Sequence, residues 1–492
     1  MKQKRIIELL ILGSINLLTA LNLPAVLAQD TSDKIIKFTI RGNNSISDPE
    51  LQKVLAPYLN LDLSWDNVLV AKNALTQYYQ KLGYPSALAL IPEQDLSGNI
   101  IIDLNEGKLA SIEIEGNRLL STQWIESQID RNRAVNISEL DRELRLIRKN
   151  SNLIEDLKAQ LIPGSQLGTS QLFVQITERK PQYWSYELNN YATPVSGRWE
   201  NSATYLNPSL TRKSDLLGLR VGITQGGTTI NGLYDWAVNS QGTRAQISFG
   251  RLKRQVTEDP ISILDLQSSA TSISVGLRSP LVREPERDLA VNVGVDWQKN
   301  QTRLDGELFP FDNTSDNGKT EIWAVRLGLQ ANFQSLNSAT IASSQLSLGV
   351  GNGEKTFMVW NNSLDYYRKF GKITAIAKVS AQIADSNLFA EEQFTLGGKE
   401  RGRGYRLNEF SGDNGVFGAL EVQVPLSPQI SVSPFFETGR VWGQGYGTTV
   451  ISTGVSANWQ INRNLSLRGD VAFPLNSPDN SENFLFSIQY QP

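Results

Sequence analysis

The chain has 492 residues, a formal net charge of -3, no Cys and no His. Without Cys there are no disulfides, thiol nucleophiles or thiolate metal sites; without His there is no Ser-His-Asp triad, His-ligated zinc or His general base. The small negative charge offers no footprint for a nucleic-acid partner.

At the N-terminus Lys2, Lys4 and Arg5 precede an apolar stretch from Leu9 to Leu23, and PAVLAQD sets Val26 and Ala28 at small-residue positions before Gln29. This pattern predicts a signal peptide over residues 1–28. A membrane anchor fits less well, because no cationic stop-transfer flank follows. No later segment has the ~18 consecutive apolar residues of a transmembrane helix.

Residues 29–108 and 109–179 read as two copies of one α+β unit. The first opens IIKFTIRGNNSISDPEL and closes GNIIIDLNEGK; the second opens LASIEIEGNRLLSTQWI and closes SQLFVQITERK. Each has a strand ending in Gly-Asn, then helices, then two strands. In the first, Leu69, Leu75, Tyr78, Tyr79 and Leu82 suggest a buried helix stripe, and Gly83 a helix stop. In the second, Arg142, Arg145, Arg148 and Lys149 form either a cargo-attracting patch or, the better reading, a solvated face balanced by Glu139, Asp141 and Glu143.

From residue 180 to 492 the period becomes two. Leu289, Val291, Val293, Val295 and Trp297 share one face; Ala375, Ala377, Val379, Ala381 and Ile383 another; Leu465, Leu467, Val471 and Phe473 a third; and Phe484, Phe486, Ile488 and Tyr490 line the last segment. About sixteen such segments, each near the ~9–11 residues that cross a bilayer, carry Arg, Asp and Lys on the opposite parity. This predicts a closed membrane β-barrel of about 16 antiparallel strands, with lipid outside and a wet lumen. Trp297, Trp323, Trp360, Trp442 and Trp459 suit its interfacial girdles.

One stretch interrupts the alternation. GGKERGRGYR, Gly397 to Arg406, falls between the eleventh and twelfth predicted strands and is too charged for lipid. It either floats in solvent or folds into the lumen, and folding inward requires a counter-charge there. The strand QISVSPFFETGRVWGQG places Ile430, Val432, Phe436, Thr438 and Trp442 outward, so Glu437 points inward, with Gly439 leaving space beside it. A carboxylate suits the planar Arg fork, which pairs Arg403 with Glu437 and packs Tyr405 nearby. Charge pattern alone leaves the solvated loop open.

The motifs FTLGGKERGRGYR and PFFETGRVW, after a signal peptide and two such repeats, resemble the two-partner secretion transporters (TpsB, of ShlB/FhaC/HecB type). These belong to the superfamily of outer-membrane barrels with POTRA domains, and the resemblance spans the mature chain. It implies two periplasmic POTRA domains and a barrel with a loop near residues 394–414 folded into the lumen. The loop motif corresponds to Leu396, Gly397, Gly398, Arg403, Gly404 and Tyr405, and the inner-wall motif to Phe435, Glu437 and Gly439. Gly402 stands where the family usually has Val, and Glu437 where it has Asp. Many members carry an N-terminal plug helix; the first strand here begins near Lys34, which leaves closure mainly to the loop.

What the resemblance implies is export of an unfolded exoprotein, a large β-helical adhesin or cytolysin (TpsA-like), by a monomeric outer-membrane protein in contact with lipid. It implies no catalysis, cofactor, metal, nucleotide or nucleic acid. Gly318-Lys319-Thr320 lacks the Gly of a phosphate-binding loop five residues earlier. The loop DNTSDNGKTE has its Gly one place late for a calcium loop and no acid at the twelfth position, and reads as an extracellular loop. Glu391 and Glu392 pair with Lys399 or Arg401, or solvate the hairpin base. The alternatives are a barrel insertase or polypeptide importer of the same superfamily, and a passive porin, which has no need of periplasmic repeats.

Overall fold

The computed structural model describes residues 34–95, 97–181, 183–310, 316–476 and 482–492. The signal peptide expected over residues 1–28, and residues 311–315 of the loop around Asp312, lie outside them. The described residues fall into two units that divide after Arg179.

The first unit holds both repeats. Repeat one runs β1 (Lys37–Arg41), α1 (Asp48–Leu55), α2 (Trp65–Lys81), β2 (Leu88–Leu90) and β3 (Asn99–Asn105). Repeat two runs β4 (Lys108–Glu115), α3 (Thr122–Glu126), α4 (Ile137–Asn150), β5 (Ile154–Pro163) and β6 (Thr169–Glu178). In each, the last strand is central, parallel to the first and antiparallel to the second. Each sheet therefore leaves its first two strands at the edges.

The shared Gly-Asn signature has one physical cause in both copies. Gly42 and Gly116 take φ +83° and +86°, and a Cβ there would run into the carbonyl of Leu104 or Ile176. Two residues beyond each of those carbonyls a carboxylate caps the loop. Glu106 accepts from Asn44 N, Ser45 N and the Tyr79 hydroxyl at 2.7–2.9 Å, and Glu178 accepts from Arg118 N, Leu119 N and Leu120 N over the same range. Burial, with the bond to Glu106, pushes the Tyr79 hydroxyl pKa well up.

Helix α2 buries Val68, Ala71, Leu75 and Tyr79. Of the stripe read from the sequence Leu75 and Tyr79 are buried and Tyr78 packs against the core, whereas Leu69 and Leu82 are each 43% exposed, because Val68 and Ala71 take the places against the sheet; Ser64 caps the helix start by accepting from Asn67 N. Gly83 follows the last turn at φ +92°. On α4 the basic residues are balanced as the better reading had it. Arg145 meets Asp141 at 2.8 Å, Arg142 meets Glu139 at 3.4 Å, and Arg148 bonds the carbonyl of Glu155. Arg133 holds both Glu139 and Glu143 at 2.9 Å. Its hydrogen bond draws the Glu139 pKa down, whereas burial pushes that of Glu143 up.

The second unit is a closed antiparallel barrel. Its wall begins with β7 (Trp184–Asn189), β8 (Glu200–Asn207), β9 (Leu216–Thr224), β10 (Gly227–Ala237), β11 (Arg244–Gln255), β12 (Gln267–Arg283) and β13 (Arg287–Leu304). After the short β14 (Glu307–Leu308) it continues with β15 (Lys319–Gln334), β16 (Ser338–Gly351), β17 (Lys355–Phe370) and β18 (Ile373–Ala384). An inner hairpin follows, β19 (Phe394–Leu396) and β20 (Phe410–Gly412). The wall then closes with β21 (Asn414–Pro425), β22 (Ile430–Gly443), β23 (Tyr446–Gln460), β24 (Leu465–Pro474) and β25 (Phe484–Tyr490). Setting aside β14 and the inner hairpin, sixteen strands form the wall, and β25 pairs with β7 to close it.

Alternation decides the faces. On β15, Trp323, Val325, Leu327 and Leu329 point outward and Thr320, Ile322 and Ala324 inward. The inward parity carries paired charges, Arg220 with Glu200 at 3.0 Å, and Arg244 with Asp235, Arg278 with Asp288 and Arg326 with Asp296. A soluble sheet would bury the apolar face and solvate the charged one; here the order is reversed, as hydrocarbon outside and water within require. One expectation is corrected: β12, β13, β15 to β17, β22 and β23 have 14–18 residues, more than a bilayer needs, so these strands project beyond it. Trp297 and Trp323 pair across β13 and β15 with rings 6.3 Å apart.

Candidate functional site: a lumenal tongue and its latch

The chain leaves β18 at the end of the barrel away from its entry, then turns inward as a tongue. Its base is tied by Asp413, which accepts from Leu388 N at 2.9 Å and from the Gln393 amide at 3.1 Å. Gln382 donates to the carbonyls of Glu392 and Asp413. The stem rests on the wall through Leu388 and Phe389, which pack with Ile322, Ala324, Phe357 and Val359. Glu392 takes the Arg326 guanidinium at 2.8 and 3.1 Å, and Glu391 takes the Asn300 amide. The expected pairing of these acids with Lys399 or Arg401 does not occur. Lys399 stands 4.4 Å from the ring centre of Tyr191 near the start of the wall, and Arg401 4.5 Å from that of Phe394 within the tongue's own hairpin, while the acids are taken by Arg326 and Asn300.

The tip lies against β22, β23 and β24. Arg403 is 4% exposed and Glu437 3%. Arg403 Nε donates to Glu437 Oε1 at 2.7 Å, Nη2 lies 2.6 Å from the same oxygen, and the Arg403 backbone N–H donates to Oε2 at 2.8 Å. Glu437 thus holds the side chain and the main chain of the tip together. Nη1 donates to Ser456 Oγ at 2.8 Å and Asp470 Oδ1 at 3.3 Å, and Nη2 to Glu421 at 3.2 Å. The guanidinium carbon lies 3.4 Å from the centre of the Phe435 ring. Arg468 satisfies Asp470 from the other side at 2.8 and 2.9 Å. A cation this enclosed is stable only where its N–H groups find acceptors, and these do.

The remaining motif residues shape the tip. Tyr405 is 2% exposed; its hydroxyl donates to the Ile451 carbonyl at 2.9 Å and lies 2.6 Å from Asn476 Oδ1. Leu396 and Tyr405 pack with Phe394, Phe417, Val441 and Val450. Gly404 takes φ +97°, and its carbonyl accepts from Glu482 N at 2.9 Å. The space beside Glu437 left by Gly439 is filled by Leu396, not by Arg403: a Cβ on Gly439 would stand 2.8 Å from Leu396 Cδ2. Gly397 and Gly398 form the buried turn that leads from Leu396. With Leu465, Leu467, Val471 and Phe473 on the lipid-facing parity, alternation turns Asp470 inward, but it did not join Asp470 to Arg403. Sequence reasoning missed Glu421 and Ser456 as partners of Arg403 and Arg326 as the partner of Glu392; Glu421 and Arg326 gave a signal as charges at inward strand positions, whereas the neutral Ser456 gave none.

A sixteen-stranded outer-membrane barrel preceded by POTRA-type repeats, with an inward-folded basic tongue, defines a polypeptide-handling outer-membrane protein. The family described as haemolysin secretion/activation protein ShlB/FhaC/HecB matches residues 168–461, and the ShlB-type POTRA domain matches residues 34–107. The chain belongs to this ShlB/FhaC/HecB family. It is 24% identical over 403 residues to the heme/hemopexin transporter protein HuxB of Haemophilus influenzae, covering 78% of this chain and 70% of the relative. Among solved structures its fold is similar to CdiB from Escherichia coli (TM-score 0.70, 17% identity, 96% and 93% of the two chains). It is similar also to BamA from Haemophilus ducreyi lacking POTRA domains 1–3 (TM-score 0.55, 15% identity, 93% and 99%). The protein resides in the outer membrane with its POTRA domains in the periplasm, so the barrel end away from the chain's entry faces outside.

Proposed function

We propose that this protein is the translocator of a two-partner secretion pair, which passes an unfolded exoprotein through its barrel to the cell surface. The observation that carries the reading is the buried Arg403–Glu437 latch across the lumen of a ShlB/FhaC/HecB-family barrel. A closed latch and a passing chain compete for one space, so export requires the tip to leave Glu437. The POTRA sheets offer edge strands to which an extended cargo segment adds by main-chain hydrogen bonds. The cargo is a large β-helical adhesin or cytolysin. Its folding outside biases a reversible passage, with no nucleotide spent. The barrel closes within one chain and works as a monomer, and we assign it no catalytic activity.

The test compares secreted proteins in a strain lacking the gene, in the same strain restored with the wild type, and in one restored with Arg403→Ala. Loss of one or a few large surface proteins, poorly rescued by the variant, is expected. Depletion of many barrel proteins would instead indicate an insertase. Unchanged secretion with altered small-solute uptake would indicate a porin.

A further inference from the structure

We propose that the outer face of β11 to β15, just above the membrane's outer boundary, is a binding site for the phosphorylated saccharide headgroup of an outer-leaflet lipid. The pleat places the site. Ile247 and Phe249 on β11, and Val293, Val295 and Trp297 on β13, mark the lipid-facing parity; Arg278, Asp296 and Arg326, paired in the lumen, mark the other. Following the lipid-facing parity toward the outer end, β11 continues with Arg251 and Lys253, and β13 with Lys299, Gln301 and Arg303.

Strand register joins these residues into rows. The lower row runs Val221, Ile230, Arg251, Thr271, Lys299, Glu321, so apolar lipid-facing residues pass sideways into cations at one level. The next row runs Ile223, Thr228, Lys253, Ser269, Gln301, Lys319. Gln267 and Arg303 pair above it. Trp297 and Trp323 lie one row below Lys299 and Glu321, so the cations begin where the aromatic girdle ends. Glu321 is the carboxylate within these rows. It accepts from Trp297 Nε1 at 2.9 Å and lies 3.7 Å from Lys299, leaving an excess of positive charge in the rows; Asp265 stands at the outer rim, where it accepts from Gln255 and Gln267, and Asp305, Glu307 and Asp316 lie further out, on the hairpin beyond.

The surface is also concave. Lys253, Ser269, Gln301 and Arg303 line a depression of about 610 Å³, with Ile223 at its membrane edge. Neighbouring strands are ~4.8 Å apart, so cations on β11 and β13 flank a gap of ~10 Å, floored by β12 hydroxyls that can donate. Two cations, a hydroxyl and an amide around a hollow at headgroup height suit a phosphorylated sugar whose acyl chains continue down the apolar wall. The outer leaflet supplies such a group in lipopolysaccharide, which is the ligand this geometry points to.

The experiment compares the full-length wild type, Lys253→Gln/Arg303→Gln and Arg440→Gln, an exposed outward cation elsewhere, on β22. Binding is measured to lipopolysaccharide, to the same lipid after phosphatase treatment, and to phosphatidylglycerol vesicles. Heat-modifiable mobility on gels reports whether each barrel is folded. The double variant and the dephosphorylated lipid should each bind at least about ten-fold more weakly, and Arg440→Gln should match the wild type. Should the double variant not fold, raising the salt concentration must release phosphorylated but not dephosphorylated lipid from the wild type. Equal binding by wild type and double variant, equal capture of phosphatidylglycerol, or insensitivity of the wild type to salt would overturn the proposal.

Discussion

The latch depends on the identity of single atoms. Arg403→Ala leaves Glu437 and Asp470 buried beside a missing cation, a change that costs about 3–5 kcal/mol when one partner of a buried pair is lost. The tip should detach, and the expected readout is faster protease cleavage within residues 397–408 of the variant in intact cells. Arg403→Lys should rescue poorly, because an ammonium cannot span Glu437, Ser456 and Asp470 as the planar fork does. Glu437→Asp should retain secretion and Glu437→Lys abolish it; equal behaviour of the two would mean that charge pairing does not hold the tip. The inward direction of Glu437 was legible in the chain, because period two settles it, but charge pattern left the tongue free to float in solvent, and only the family resemblance favoured its pairing with Arg403. Its neighbours were not legible. Ser456 and Asp470 reach Arg403 through the register of β22 on β23 and of β23 on β24, and alternation within one strand carries no information about the next.

At the scale of elements, the two repeats are stabilised separately and alike. Glu106→Ala leaves four donors and Glu178→Ala three donors without the carboxylate that holds them, at a cost of about 2 kcal/mol or more. Hydrogen exchange on the full chain should show faster opening of repeat one for the first variant and of repeat two for the second. The pH response of repeat two follows from its buried acid. Glu143 has a raised pKa in the folded state, so the folded form holds a proton that the unfolded form releases. Its contribution is therefore favourable at acid pH and fades as pH rises from the ordinary carboxylate range through the raised value. Glu139, lowered by Arg133, acts oppositely: its contribution is full above the ordinary range and is lost as pH falls through its depressed value. Glu143→Gln should raise the protection of repeat two at neutral pH and remove the Glu143 part of its pH dependence. The repeat order of strand, two helices and two strands was visible because Gly-Asn and the closing acidic turn recur. The buried face of α2 was visible only in part: Leu75 and Tyr79 of the stripe are buried, but Leu69 and Leu82 fit the helical period as well as Val68 and Ala71 do, and packing against the sheet, which one helix's period does not carry, decides between them.

For the whole molecule, the account rests on a wet lumen that a tongue closes from within. The alternation of some three hundred residues revealed the barrel because lipid and water select opposite faces of every strand. The path of the tongue was not recoverable from alternation: its stem holds Arg326 on β15 while its tip holds Glu437 on β22, and two such distant walls are brought to one loop only by closure of the barrel. The most direct measurement uses the absence of native Cys. Leu396 touches the place where Gly439 would carry a Cβ, so Leu396→Cys/Gly439→Cys introduces a thiol pair without background. Cells carrying this variant are oxidised, and secretion of the partner is measured before and after a reductant, with each single substitution as control. The account predicts a disulfide that stops secretion and a reductant that restores it; a disulfide that forms while secretion continues, or a pair that never cross-links in the folded barrel, would contradict it.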